Sequence, residues 1–126
     1  MSSFAAWRRA LVPLAVTIYA VMIALGSLWV RLPDPLRDTN DKILHVLAYG
    51  GLSVLLFLGL RLPVLRRSLV IVSAIAVMGA IDEYIQSFFP HRHSDVMDWC
   101  ADVGAAIAVC ATFATLRALW RAWRAH

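Results

Sequence analysis

The sequence predicts an all-α membrane protein, a bundle of four transmembrane helices, and three observations support this prediction. Of the 126 residues, 61% are apolar and only 16% are charged, whereas soluble domains carry about 25% charged residues. The mean hydropathy is +0.72. Four apolar stretches are each long enough to cross a hydrocarbon core about 30 Å thick. Together they use most of the chain, so we expect a single domain, residues 1–126, and no second one.

The predicted spans cover about residues 11–30, 43–60, 68–89 and 95–116. Pro13 lies in the opening turn of the first span, where a missing N–H costs little, and Arg31 with Pro33 ends that span. A tight basic turn at 61–67 separates the second span from the third. Pro90 ends the third span, and a short polar loop leads to the fourth.

Acidic and basic residues separate to opposite ends of the predicted bundle. The acidic end receives every carboxylate of the chain: Asp34, Asp38, Asp41, Asp82, Glu83, Asp95, Asp98 and Asp102. The basic end carries arginines and no acid: Arg8, Arg9, Arg61, Arg66, Arg67, Arg117, Arg121 and Arg124. Short loops rich in Arg stay cytoplasmic. We therefore expect a multi-pass protein of the bacterial inner (cytoplasmic) membrane, with both termini in the cytoplasm and the acidic end facing the periplasm or exterior.

The formal charge of +4 comes from the basic end, so it indicates contact with membrane lipids, anionic ones above all, rather than nucleic acid. Tryptophans fit this orientation, because Trp29 and Trp99 mark one predicted interface and Trp7, Trp120 and Trp123 mark the other. The chain is short for a monomeric transporter, and a homodimer would supply the second repeat that alternating access usually needs.

Polar residues form stripes on three of the four predicted helices. The stripes are Asp41, His45 and Tyr49 on the second helix, Asp82, Glu83 and Gln86 on the third, and Asp95, Asp98 and Asp102 on the fourth. Spacings of three and four residues place the members of the second-helix and fourth-helix stripes on one face each, and place Gln86 near both Asp82 and Glu83. The adjacent Asp82 and Glu83 point about 100° apart, and the sequence leaves open which of them faces the bundle interior. A carboxylate within the hydrocarbon core costs roughly 2.5 to 3.5 kcal/mol on insertion scales, so it needs partners, protonation or water. We expect the three faces to meet in one buried site.

These motifs resemble those of the VanZ-like family of small membrane proteins. The similar residues are Asp41-Lys42-x-x-His45-x-x-x-Tyr49, then Asp82-Glu83-x-x-Gln86, then Arg92 followed by Asp98 and Gly104. The resemblance covers about residues 41–110, and one departure is Asp102, where that family often has Asn. The founding member is associated with resistance to the glycopeptide antibiotic teicoplanin. The resemblance therefore implies a role in the cell envelope at the outer leaflet. We expect the site to bind, and to transfer or hydrolyse, a polar lipid-linked or cell-wall-related ligand there.

Imidazole and carboxyl groups in one site suit acid–base chemistry. The candidate catalytic residues are Glu83, His45, Asp82 and Asp98, with Glu83 or Asp82 as base, His45 as proton relay and Asp98 as orienting partner. The candidate substrate-binding residues are Arg92 and Lys42 as an anion clamp, with Gln86, Tyr49, Asp41, Asp95 and Asp102. A divalent metal is a candidate cofactor for metal-assisted transfer or hydrolysis, with His45, Glu83 and Asp98 as ligands, although their spacing is not diagnostic.

A structural explanation competes with each of these roles. Asp82 and Glu83 would pin three helices together if they accepted hydrogen bonds from Arg92, Lys42 and His45. Intramembrane carboxyls and a histidine also suit a proton relay. The sequence therefore leaves open whether the protein is an enzyme, a non-enzymatic scaffold of the envelope, or a small proton-coupled transporter.

Overall fold

The computed structural model describes residues 2–28, 37–90 and 94–125, and these residues form four helices. The helices are α1 (Ser2–Leu28), α2 (Arg37–Gly59), α3 (Val64–Gln86) and α4 (Val96–Arg124). All four are long and apolar enough to cross a membrane, which confirms the predicted fold class. Large apolar side chains such as Leu47, Leu69 and Val77 are exposed on their outward faces, a pattern typical of helices that pack against lipid.

Consecutive helices run in opposite directions. Nε of Arg8, near the start of α1, donates to the carbonyl of Leu58 at the end of α2, at 2.8 Å. Lys42, near the start of α2, contacts Asp98 in the first turn of α4. The helix α2 packs against the other three helices, most extensively against α4, and α3 also packs on α4. The start of α2, the end of α3 and the start of α4 therefore meet at the acidic end.

The apolar core joins the helices below this end. Its buried members are Ala15, Tyr49, Leu52, Leu56, Phe57, Ile71, Ile75, Ala106 and Cys110. Ile71 and Ile75 are fully buried because residues four apart lie on the same helix face. The rings of Phe57 and Phe113 stack with their centroids 4.7 Å apart. This packing fixes α2, α3 and α4, the three helices that carry the polar stripes, relative to one another.

Close approach of α3 and α4 depends on a glycine. A Cβ atom added to Gly79 would lie 2.8 Å from Oδ2 of Asp102 and 3.2 Å from a ring carbon of Trp99. The helix α4 therefore leaves no room for a side chain at this position. Gly104, the glycine of the third motif, is exposed and has nothing within 4 Å of its added Cβ, so it does not mediate helix packing.

Several helix ends differ from the predicted spans, because hydropathy marks where a chain crosses a membrane rather than where a helix ends. The helix α2 begins at Arg37 and the helix α3 at Val64, before the predicted limits at 43 and 68. The helix α1 begins at Ser2, so Pro13 lies inside the helix and not in its opening turn. The helix α4 continues to Arg124. The helix α3 ends at Gln86, before the predicted limit at 89. The N–H groups of Phe88 and Phe89 bond to carbonyls three residues back, and Pro90 disfavours helical backbone at the residue before it.

Candidate functional site

One histidine and three carboxylates are buried together at the acidic end of the bundle. They are His45 from α2, Glu83 from α3, and Asp98 and Asp102 from α4, and each is less than one tenth exposed. Burying a charge costs several kcal/mol unless good partners surround it. The partners of each group therefore decide whether the cluster is only scaffolding.

His45 and Asp102 form the most deeply buried pair. Nδ1 of His45 lies 2.9 Å from Oδ1 of Asp102, whose side chain is fully buried. The imidazole also stacks on the ring of Tyr49, with centroids 5.9 Å apart and planes 10° apart. A carboxylate at Nδ1 fixes the ring orientation and leaves Nε2 for a proton or a ligand. Asp102 thus makes the contact that the sequence prediction gave to Asp98.

Glu83 and Asp82 serve different contacts, because adjacent helical side chains point about 100° apart. Glu83 is buried, and its Oε2 accepts the backbone N–H of Asp95 at 2.7 Å. Its Oε1 is buried with no hydrogen-bond partner among the described residues. Asp82 is half-buried and accepts a hydrogen bond from the Tyr49 hydroxyl at 3.1 Å. Glu83 therefore belongs to the interior of the site, and Asp82 to the contact between α2 and α3.

Lys42 lies at the rim of the site. Its Nζ is 3.0 Å from Oδ2 of Asp95 and 3.0 Å from Oδ1 of Asp98. The Lys42 side chain is 42% exposed, whereas that of Asp98 is 6% exposed. Asp95 caps α4 by accepting the backbone N–H of Met97. This hydrogen bond, with the one from Lys42, lowers the pKa of Asp95 below its ordinary value.

Three of the buried groups converge on one point. His45, Glu83 and Asp98 each offer one potential ligand atom, and these atoms all lie within 4.8 Å of one another. One imidazole nitrogen and two carboxylate oxygens form a donor set suited to a divalent cation. These are the three metal-ligand candidates named from the sequence, and they come from three different helices.

Of the remaining predicted site residues, some are described by the structure and others are not. Gln86 is buried at the end of α3, and Tyr49 is buried beside His45. The side chain of Asp41, and Arg92 as a whole, lie outside the described residues. Of the predicted anion clamp, only Lys42 is therefore described. Lys42 and His45 contact acids of α4 rather than Asp82 and Glu83, so the pinning arrangement considered from the sequence does not form through these two residues.

The sequence prediction did not include two side chains that hold the site in place. The Tyr19 hydroxyl donates to the carbonyl of Met78 at 2.8 Å, and its ring meets that of Tyr49 edge-on. Nε1 of Trp99 donates to the carbonyl of Ala76 at 2.8 Å, so Trp99 joins α4 to α3 in addition to its predicted place at the interface. A tyrosine in the middle of an apolar span was the available signal, since a buried hydroxyl usually has a partner.

Comparison of the chain with protein-family models, curated proteins and solved structures found no match. The helical fold does not by itself indicate an activity.

Proposed function

We propose that this protein is a VanZ-like integral membrane protein that binds a lipid-linked anionic ligand of the cell envelope and hydrolyses or transfers its phosphate group. The observation that carries the proposal is the unpartnered Oε1 of Glu83, buried beside an imidazole that Asp102 orients. The ligand class is supported by Lys42, an accessible cation at the rim of the same site. The motif resemblance to the VanZ-like family supports a role in the envelope.

A purely structural network is the second candidate, and one observation favours it. Lys42 already neutralises Asp95 and Asp98, and His45 already contacts Asp102. Interhelical polar bonds in membranes contribute only about 0.6 kcal/mol on average, however. A buried polar atom left without a partner costs about 1 to 3 kcal/mol, and Oε1 of Glu83 and Oδ2 of Asp102 both lack a hydrogen-bond partner within the described part of the chain. A network that served stability alone would gain by replacing these groups.

The proposed reaction assigns each group a task. Lys42 attracts the phosphate as a point charge. A water molecule attacks phosphorus, the bond from phosphorus to the bridging oxygen breaks, and the departing oxygen receives a proton. Glu83 acts as the general base and takes the proton of the water, His45 acts as the general acid and gives a proton to the departing oxygen, and Asp102 holds the imidazole in place. In the transfer version of the reaction, an acceptor hydroxyl replaces the water.

The orientation belongs to the same proposal, with the acidic end on the periplasmic or exterior side. It is supported by the arginines near the other end of α1, α3 and α4, including Arg8, Arg66 and Arg121. Fusing a reporter after residue 126 tests it. Green fluorescent protein should fluoresce and alkaline phosphatase should stay inactive, because both report a cytoplasmic terminus. The opposite pair of results would contradict the orientation.

The central test compares wild-type protein with Glu83→Gln in lipid nanodiscs. The probe is a polyprenyl diphosphate, the readout is released phosphate, and the uncharged polyprenol of the same length is the binding control. We expect Glu83→Gln to lower phosphate release by about 10²-fold or more while the melting temperature stays the same or rises. Wild-type protein that neither binds nor cleaves the diphosphate, or a Glu83→Gln protein that simply unfolds earlier, would favour the structural network instead.

A matched pair of substitutions tests the clamp. Lys42→Met removes the cation at the rim, and Arg66→Met removes an exposed cation from the basic end. Binding of the diphosphate should weaken in Lys42→Met and stay unchanged in Arg66→Met. If both variants lost diphosphate affinity equally, the effect would come from the net charge of the protein rather than from a cation at the site.

A further inference from the structure

We infer that His45, Glu83 and Asp98 form a binding site for one divalent transition-metal cation, with Asp102 as the positioning residue for His45. The inference concerns the site described above and rests on the proposed function for the chemistry that the cation would serve. It is carried by three independent features: the convergence of the ligand atoms, the contacts that orient them, and the position of Lys42.

The convergence places the donors nearly at metal-binding distance. The three ligand atoms lie within 4.8 Å of one another. A tetrahedral cation about 2.1 Å from each donor places the donors about 3.4 Å apart, so a pair at the 4.8 Å limit has to close by about 1.4 Å. Rotations of the three side chains can supply that closure. Because the donors come from α2, α3 and α4, the helix packing itself brings them together.

Two of the three ligands are held by second contacts in the way that metal ligands usually are. Metal-bound histidines almost always pair their other ring nitrogen with a carboxylate or carbonyl, and Nδ1 of His45 lies 2.9 Å from Oδ1 of Asp102. Nε2 is then the coordinating atom. Glu83 is held by the backbone N–H of Asp95 at Oε2, which leaves Oε1, the buried atom without a hydrogen-bond partner, as its ligand atom.

The donor set selects the class of metal. Ca²⁺ and Mg²⁺ prefer all-oxygen ligands, whereas an imidazole with two carboxylates suits Zn²⁺ or Mn²⁺. Three protein ligands with a further position open is the arrangement of catalytic zinc sites rather than structural ones. The open position would take a water molecule or a phosphate oxygen. With the cation bound, the metal would activate the water, because coordination occupies the atoms of Glu83 and His45 that transfer protons in the metal-free reaction.

Lys42 supplies the third feature. Its ammonium is 3.0 Å from Oδ1 of Asp98, one of the three ligands, and its side chain is 42% exposed. A cation entering the site would repel this ammonium, and the exposed side chain is free to turn outward. Lys42 and the metal therefore compete for Asp98. Removing the lysine charge should strengthen metal binding, an effect that damage to the fold would not produce.

The experiment measures binding of Zn²⁺ and Mn²⁺ alone to the purified, chelator-treated protein in detergent, by calorimetry and by metal content after dialysis. Co²⁺ serves as a spectroscopic probe of the coordination geometry. We expect one equivalent bound by wild-type protein. Glu83→Gln and Asp98→Asn should weaken binding at least 10-fold, and Asp102→Asn, which touches only the second contact, should weaken it about 10- to 100-fold. Lys42→Met should tighten it, and Arg66→Met, which removes an exposed cation at the basic end, should leave it unchanged.

Several results would overturn the inference. Binding that survives Glu83→Gln and Asp98→Asn would belong to the other histidines, His91, His93 and His126, and not to this site. An absence of binding up to millimolar metal would also refute it. One equivalent bound without any phosphate release would leave the metal site standing and refute the proposed function. Phosphate release that requires Glu83 but survives chelation would support the proposed function and refute the metal site.

Discussion

Buried charged side chains occur at both ends of the bundle, and the groups that contact them differ between the two ends. At the basic end, the guanidinium of Arg67 donates to the backbone carbonyls of Phe57 and Leu62, at 3.2 and 2.6 Å. It also lies 4.8 Å from the centre of the Phe57 ring. Phe57 lies in the last turn of α2, where carbonyls lack helical donors and attract cations, and Leu62 lies in the turn that follows. Both partners are backbone groups and therefore fixed parts of the fold, although Nε of Arg67 is buried without a hydrogen-bond partner among the described residues.

At the acidic end, the partners of buried charge are mainly other ionisable side chains. His45 contacts Asp102 and Asp98 contacts Lys42, so the state of each group depends on another group that can itself gain or lose a proton or move. Burial of charge alone therefore does not distinguish the two ends. They differ in whether the partners of the buried charge are fixed backbone groups or ionisable side chains.

The largest expected effect is at the basic end. Arg67→Met keeps the apolar stem but removes the hydrogen bonds to Phe57 and Leu62 and the contact with the ring. Hydrogen bonds from a charged group contribute about 1.5 to 3 kcal/mol, so the free energy of unfolding should fall by about 2 to 4 kcal/mol. Thermal unfolding in detergent measures it. Arg66→Met, at the exposed neighbouring residue, is the control, and equal losses in both would contradict the special role of Arg67.

A smaller effect is expected where α3 meets α4. Gly79→Ala places a Cβ 2.8 Å from Oδ2 of Asp102, and overpacking of this kind typically costs about 1 to 3 kcal/mol. The same substitution at Gly104 meets nothing within 4 Å and should stabilise α4 by up to about 1 kcal/mol, since Ala favours a helix over Gly. Melting temperatures of the two variants should move in opposite directions. A neutral Gly79→Ala would mean that the two helices separate easily at the site.

The smallest expected effect is the pH dependence at the rim. The lowered pKa of Asp95 means that its ionised form stabilises the fold. That contribution is complete above the unfolded-state pKa, about 3.9, and is lost as the pH falls through the lower folded-state value. Asp95→Asn should therefore lower the melting temperature slightly at pH 6. The difference from wild type should disappear toward pH 2, and a difference that persists there would assign the effect to the shape of the cap rather than to the charge.

The four helices could be predicted from the sequence, because an apolar stretch long enough to cross a bilayer has to be helical to satisfy its backbone hydrogen bonds. The sequence was also sufficient to place Asp98 and Asp102 on one face of α4, since four residues make about one turn. It could not decide which of them meets His45. That choice depends on how far α4 slides along α2, which helical periodicity does not determine. The packing of α4 on α3 also restricts Asp102, since a Cβ added to Gly79 of α3 would lie 2.8 Å from its Oδ2.

The same reasoning explains the ambiguity between Asp82 and Glu83. Periodicity places adjacent residues on different faces of α3, but it does not say which face turns toward the other helices. The core residues Ile71 and Ile75 determine this, because Gly79 and Glu83 continue their i, i+4 row. The row includes only two large apolar side chains, and most of α3 is apolar on every side, so the pattern was not visible from hydropathy alone.

The hydrogen bond from the backbone of Asp95 to Glu83 links the site mechanically to a whole helix. Asp95 is the N-cap of α4, so the carboxylate that would hold a ligand also anchors the residue at which that helix starts. The helix α4 extends from there to Arg124 at the opposite end of the bundle. If a ligand moved Glu83 and thereby α4, linkage would require a partner bound at the arginine-rich end of α4 and the ligand to change each other's affinity by the same factor.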